Sequence, residues 1–268
     1  VAELNASTLL DLAVTAARAG AELAARRRVE GLGEVGTKST DTDPVTAADR
    51  AVEQLLIEIL LGARPGDRVL GEEGGERGPA SGAVRWVVDP IDGTVNYVYG
   101  LPQYAVSIAA EVDGRVVAAV VRNAATGDEW TATLGGGAWR DGRRLTGSPV
   151  TRLDRCLIGT GFGYDAARRA HQAAVLAQLL PRIRDIRRFG AASLDLCLAA
   201  EGLVDGYYEK GLSAWDHAAG GLVAAEAGLL VTGLRGAAPG PTMVVAAPPA
   251  VHGDLHEVLV ALDADGGP

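Results

Sequence analysis

The chain has 268 residues, 48% of them hydrophobic, enough to bury a substantial core as one large domain or two tightly joined halves. A formal net charge of −9 argues against general nucleic-acid binding and against binding to an anionic membrane surface. No stretch approaches the ~18 consecutive apolar residues of a membrane span, and the first residues lack the basic-then-apolar order of a secretory leader, so a cytoplasmic location is expected.

Apolar and small residues recur at helical spacing from Ser7 to Arg28, and Gly31, Gly33 and Gly36 end that helix. Residues Gly36 to Pro44 are polar and breaker-rich, which predicts a surface loop. Thr46 opens a second helix with Asp49 three residues on. That acid either closes a capping box or faces a site. Val69-Leu70 reads as a short strand ending on Gly71-Glu72-Glu73-Gly74-Gly75. Trp86 to Val88 is a buried strand that stops on Asp89, because Pro90 cannot donate to a ladder and Asp92-Gly93 is turn chemistry. After a connecting turn come hairpins around Asp113-Gly114 and Asp141-Gly142.

From about Thr151 strands and helices alternate. Strands are expected at Cys156–Thr160, Asp205–Glu209 and Met243–Ala247. Helices are expected at Asp165–Leu180, Ala191–Ala200, Ala218–Ala227 and Val251–Leu262, with a frayed tail from Asp263. The basic run Arg182 to Arg188 reads as an exposed helix or subunit face, and His252 and His256 as a solvated helix face. Cys156 and Cys197 read as buried free thiols in preference to a disulfide. The predicted division is an α+β half over residues 1–150, carrying most candidate ligands, and an α/β half over 151–268, carrying Asp216 and pocket residues.

Asp89 and Asp92 leave a strand end together, followed by Gly93 and the hydroxyl of Thr94. Asp216, after Trp215, either caps a helix or turns toward them. Joined by Glu72, these acids make an oxygen-only anionic site that suits Mg2+ or Mn2+ and needs cations to stay ionised. Two metals held there generate a nucleophilic water for in-line displacement at phosphorus, without a covalent intermediate. The Gly93 and Thr94 amides would cradle the phosphate, and Thr94 with Asp49 would orient the water.

The pieces Asp43-Pro44-Val45-Thr46-Ala47-Ala48-Asp49, Gly71-Glu72-Glu73, Asp89-Pro90-Ile91-Asp92-Gly93-Thr94-Val95-Asn96-Tyr97 and Trp215-Asp216-His217-Ala218-Ala219-Gly220 occur in the order of the inositol monophosphatase family, which the chain resembles over nearly its whole length. The resemblance implies a layered αβαβα sandwich and a lithium-sensitive, magnesium-dependent hydrolase that frees phosphate from inositol 1-phosphate by direct attack of a metal-activated water. It implies two to three ions per site, held by Glu72, Asp89, Asp92, Asp216 and the Ile91 carbonyl, with Asp49, Glu72 and Thr94 acting on the water. It places Lys38 on a mobile loop, Glu209 on the ring hydroxyls, and Gly190, Ala191 and Ala192 along the same pocket. Ala191 stands where the family often carries a hydroxyl. A homodimer acting on a small phosphate ester, with no nucleic acid and no membrane as partner, is the family expectation. The same metal core serves histidinol phosphate, fructose 1,6-bisphosphate, NADP and nucleotide bisphosphates, so these stay open as substrates. A regulatory protein that binds a macromolecular partner is the non-enzymatic alternative.

Overall fold

Helix α1 (Ala6–Glu30) begins where the Asn5 side chain accepts a hydrogen bond from the Ser7 amide. In the computed structural model, which describes residues 5–32, 35–38 and 44–268, its buried face is made of small residues, among them Ala13, Ala17 and Gly20. A Cβ on Gly20 would lie 2.9 Å from Leu56 Cδ2. Leu56 belongs to α2 (Ala47–Ala63), so the small stripe is what lets the two helices approach. Between them β1 (Val35–Thr37) pairs antiparallel with β2 (Pro44–Thr46), so the surface loop expected there is flanked by a short ladder. Asp43, which opens the first family-like piece, lies with residues 39–42 outside the described residues.

Both helices cover one face of an eight-stranded sheet. Its strands are β3 (Arg68–Gly71), β4 (Gly75–Arg77), β5 (Val84–Asp92), β6 (Ala105–Val112), β7 (Arg115–Asn123), β8 (Glu129–Thr133), β9 (Gly137–Arg140) and β10 (Arg143–Arg144). Their order across the sheet is β10-β9-β8-β7-β6-β5-β3-β4. Only β3 and β5 run parallel within it. Positive φ at Asp113-Gly114 and Asp141-Gly142 is the turn geometry that their sequence predicts. One expectation fails at Pro90. Strand β5 does not stop at Asp89 but continues to Asp92, with a register shift against β6 between those two acids. Pro90 sits in that irregularity, where its missing N–H costs no ladder bond. The connecting turn after it is a short helix, α3 (Thr94–Tyr99).

A second sheet holds β11 (Leu157–Thr160), β12 (Asp185–Arg187), β13 (Gly206–Glu209), β14 (Leu230–Thr232) and β15 (Val244–Ala247), in the order β12-β11-β13-β15-β14. Helices α5 (Ala192–Glu201) and α6 (Ala214–Glu226) lie between the sheets, and α4 (Ala166–Leu179) and α7 (Pro249–Ala261) cover the outer face. Strand alternation assigns the layers. Trp86 and Val88 pack with α1 and α2, whereas Val87 joins α5 and α6. In the second sheet Tyr207, Val244 and Ala246 face inward, and Tyr208, Val245 and Ala247 face α4 and α7. The result is the αβαβα sandwich, with α5 and α6 packed against both sheets.

Four local readings change. The basic run Arg182–Arg188 is not a helix: Asp185–Arg187 is an edge strand paired with β11, and half-buried Ile186 packs under it. Helix α6 starts at Ala214, one turn before the predicted start, because Ser213 is its N-cap. The tail is tied down, with Ala264 buried and Lys210 Nζ donating to the carbonyls of Gly266 and Gly267 and to a terminal carboxylate oxygen of Pro268. His252 is buried and bonded to Thr232 Oγ1 at 3.0 Å, so the histidine pair is no solvated face. Cys156 and Cys197 are buried and free. No helix of the described residues is long and apolar enough to cross a membrane.

Candidate active site

The irregular end of β5 brings Asp89 and Asp92 out on one side. The Ile91 amide donates to Asp89 Oδ1 at 3.0 Å, which turns that carboxylate back over its own strand. Asp216 arrives from the first turn of α6, its Oδ2 accepting the Ser213 amide at 2.6 Å. One carboxylate oxygen from each of Asp89, Asp92 and Asp216 lies within 4.8 Å of the others. Burial pushes Asp89 and Asp216 well above the usual carboxylate range, and the neighbouring acids push them further. Asp92 is also raised by burial, against the bonds it accepts from Ser193. These are the Ser193 amide at 2.7 Å and its hydroxyl at 2.5 Å, both to Oδ2. Three crowded, oxygen-only donors fit a hard divalent ion such as Mg2+ or Mn2+, and without one burial and mutual repulsion favour their protonated forms.

Glu72 stands beside this group and outside its 4.8 Å circle, in the turn after β3. Lys38, at the end of β1, reaches it: Nζ lies 2.8 Å from Glu72 Oε1 and 2.5 Å from Glu73 Oε1. Burial raises the Glu72 carboxyl to about 7, although Lys38 opposes the shift. The turn is held from below by Glu53 on α2, whose Oε2 accepts the Glu73 amide at 2.8 Å. A Cβ on Gly71 would collide with that carboxylate.

Asp49 caps its helix and also reaches the Thr94 hydroxyl. Its Oδ2 accepts the Thr46 amide at 2.8 Å and the Thr46 hydroxyl at 2.6 Å, which closes a capping box. Its Oδ1 lies 3.2 Å from Thr94 Oγ1, which is also 3.1 Å from the Ile91 carbonyl. Gly93, at φ 89°, makes the turn between β5 and α3, and a Cβ there would lie 2.7 Å from the Gln103 carbonyl.

Around the acids opens a cleft of about 550 Å³, lined by Lys38, Glu72, Asp89, Ile91, Asp92, Gly93, Thr94 and Asp216 among the expected residues, with Gly190, Ala192 and Glu209 on the far wall. Ala191 is 1% exposed and lies behind that wall against Gly93, and Asp49 lies behind Thr94. Burial pushes the Glu209 carboxyl up to about 7, against a 2.5 Å hydrogen bond from the Tyr207 hydroxyl and the Arg188 charge. Gly161 leaves room for it: a Cβ there would collide with the Glu209 carboxylate.

Four residues escaped the sequence reading. Ser193 holds Asp92 from a helix 101 positions away, and no local pattern signals such a bond. Arg188 was absorbed into a basic run, and Arg168 and Lys210 into a helix and a strand end, yet all three line the cleft.

These features define a class: a layered α/β protein with a cluster of carboxylates, at a strand end and a helix start, that could hold a metal ion and opens on a polar cleft. The chain belongs to the inositol monophosphatase family, whose model matches residues 5–264. A Mycobacterium leprae protein named inositol-1-monophosphatase is 50% identical over 241 residues, 85% of this chain and 82% of its own. A Pseudomonas aeruginosa protein named Nus factor SuhB is 42% identical over 238 residues, 85% of this chain and 86% of its own. The solved structure of Mycobacterium tuberculosis SuhB superposes with a TM-score of 0.84 at 39% identity, covering 98% of this chain and 100% of that one.

Proposed function

We propose that the chain is a Mg2+-dependent phosphomonoesterase that frees phosphate from inositol 1-phosphate. The observation that carries this reading is the joint placement on one cleft of the Asp89, Asp92 and Asp216 oxygens with Thr94, whose hydroxyl is bonded to Asp49 behind it. Asp89, Asp92 and Asp216, with the Ile91 carbonyl and with Glu72 shared by a weaker site, would hold two to three ions. Bound Mg2+ acidifies water and draws charge from the ester phosphate.

The protein's own groups do the rest. Thr94 Oγ1 orients the attacking water and accepts its proton while passing its own to Asp49 Oδ1, and the departing alkoxide takes up a proton to leave as the alcohol. The Gly93 and Thr94 amides bind the phosphate oxygens. Glu209 and the Gly190–Ala192 segment bind the ring hydroxyls of the polyol. Lys38 neutralises Glu72 until an ion replaces it. The protein works as a cytoplasmic homodimer, with Mn2+ as a substitute ion and Li+ as an inhibitor.

Phosphate release with Mg2+, with and without Li+, tests the reading against inositol 1-phosphate, histidinol phosphate, fructose 1,6-bisphosphate, adenosine 3′,5′-bisphosphate and NADP. Preference for inositol 1-phosphate, suppressed by Li+, is expected. Preference for another ester keeps the metal chemistry and discards the pocket assignment. One observation favours a second reading: relatives at about 40% identity are named Nus factor SuhB. A folded, Mg2+-loaded protein that hydrolyses none of the esters would put binding to a macromolecular partner first.

A further inference from the structure

Glu53 is a buried carboxylate, 4% exposed, that does not line the cleft. It follows Asp49 by four residues on α2, so the two acids stand one turn apart on the same face of that helix. Asp49 reaches the Thr94 hydroxyl. Glu53 enters the turn over residues 71–75, between β3 and β4, and that turn carries Glu72. A buried anion needs partners, and this one finds them in main-chain amides. Its Oε2 accepts the Glu73 amide at 2.8 Å. Burial raises the carboxyl, and bonds from the Glu73 and Gly74 amides act against that rise.

The same carboxylate accounts for two glycines of the turn. Gly75 has φ 67°, a demand of its own backbone, but Gly71 and Gly74 have no positive φ. What they lack is room. A Cβ on Gly71 would collide with Glu53 Oε2, and one on Gly74 would lie 2.7 Å from Oε1. Glu72 lies inside this grip, with Gly71 before it packed on the carboxylate and the Glu73 amide after it bonded to the same group. Its backbone is therefore fixed on both sides, while its own side chain lines the cleft that Glu53 does not reach. A glutamine at position 53 keeps the shape but turns an NH2 group toward one of the two amides, where only an acceptor fits.

We infer that Glu53 is a positioning residue for the metal site: its carboxylate sets the backbone of the Glu72 turn and so the affinity of the ion that Glu72 serves. The ions of the Asp89, Asp92 and Asp216 cluster depend on their own ligands and not on Glu53. The inference rests on the metal-dependent phosphomonoesterase reading and deepens it. One face of α2 then serves both halves of the site, Asp49 for the water and Glu53 for a ligand.

Titration with Mn2+, followed by electron paramagnetic resonance of the free ion, tests this without turnover. Glu53→Gln should weaken the Glu72-dependent ion by about tenfold or more and leave the cluster ions within about twofold. Glu72→Gln should cause a similar loss. Adding Glu53→Gln to it should cost less than about twofold more, because the turn then has no ligand to place. Phosphate release by Glu53→Gln should need about tenfold more Mg2+, with KM for inositol 1-phosphate changed by less than about twofold. Gly74→Ala keeps the carboxylate and crowds Oε1, so it should weaken the same ion, and it replaces Glu53→Gln if that variant does not fold. A variant isotherm that superposes on the wild type, whatever the melting temperature in EDTA, overturns the inference. An equal loss in the Glu72→Gln background overturns it as well. A protein that hydrolyses none of the esters but shows the Glu72-dependent shift removes the phosphomonoesterase reading and leaves the positioning role standing.

Discussion

Replacing Glu209 with Gln in the metal-free protein should stabilise it at neutral pH and leave it nearly unchanged in acid. Burial, the largest cause, carries this carboxyl from 4.5 up to about 7 in the fold. In the unfolded chain a glutamate titrates near ~4.3. Between those values the folded protein keeps a proton that the unfolded chain has released. Stability from this group is therefore lost as pH rises from about 4.5 to about 7 and is level above that. At about 1.36 kcal/mol per pH unit the loss reaches about 3 kcal/mol. Gln is neutral in both states, and its amide oxygen still accepts the Tyr207 hydroxyl that now bonds Oε2. Glu209→Gln should then exceed the wild type by about 3 kcal/mol near pH 8 and by less than about 1 kcal/mol near pH 4.5. The other buried acids slope in both proteins and largely cancel in the difference. Urea unfolding in EDTA, followed by circular dichroism at the two pH values, measures it. A difference of equal size at both ends, or none near pH 8, would refute the claim that this carboxyl is buried without adequate compensation.

Three further substitutions separate site from scaffold. Asp92→Asn should cut turnover by about a thousandfold or more and weaken Mg2+ binding in calorimetry, while the metal-free protein melts no lower because one of three crowded carboxylates is neutral; near-normal activity would discard the metal assignment. Ser193→Ala removes the 2.5 Å hydroxyl bond to Asp92 Oδ2 and should raise the Mg2+ concentration for half-maximal activity about tenfold, with an unchanged circular dichroism spectrum; an unchanged Mg2+ requirement would mean the bond does not orient the ligand. Gly161→Ala puts a methyl group into the Glu209 carboxylate and should raise KM for inositol 1-phosphate by about tenfold with kcat less affected; a loss confined to kcat would remove Glu209 from the polyol contacts.

What could be read in advance was chemistry written in consecutive residues. Asp89-Pro90-Ile91-Asp92-Gly93-Thr94 announces two acids, a break and a hydroxyl, and the structure sets them at one strand end. The Asp-Gly hairpins were legible for the same reason, since positive φ is a local demand. The misreadings arose where a neighbour decides. Pro90 ends a strand in isolation, but β6 continues past it and leaves a bulge for it to occupy. Arg182–Arg188 has helix-friendly residues, but the open edge of β11 captures Asp185–Arg187 as a strand. Ser193, Arg168 and Arg188 reach the site from elements distant in the chain, and their meeting is a property of the layers.

The two helix starts described above have a consequence for how this chain can change. Asp49 and Asp216 each sit on the third residue of a helix and reach back to the residue before that helix, so the act of winding also aims a carboxylate, from α6 at the cleft and from α2 at the Thr94 hydroxyl that lines it. Folding and function share one rotamer at each place. A substitution there is penalised twice, once as a lost cap and once as a misaimed acid, and neither penalty can be repaired without disturbing the other. Anyone raising the heat tolerance of this protein by improving its helix ends has those of α1 and α7 free to redesign, and these two closed.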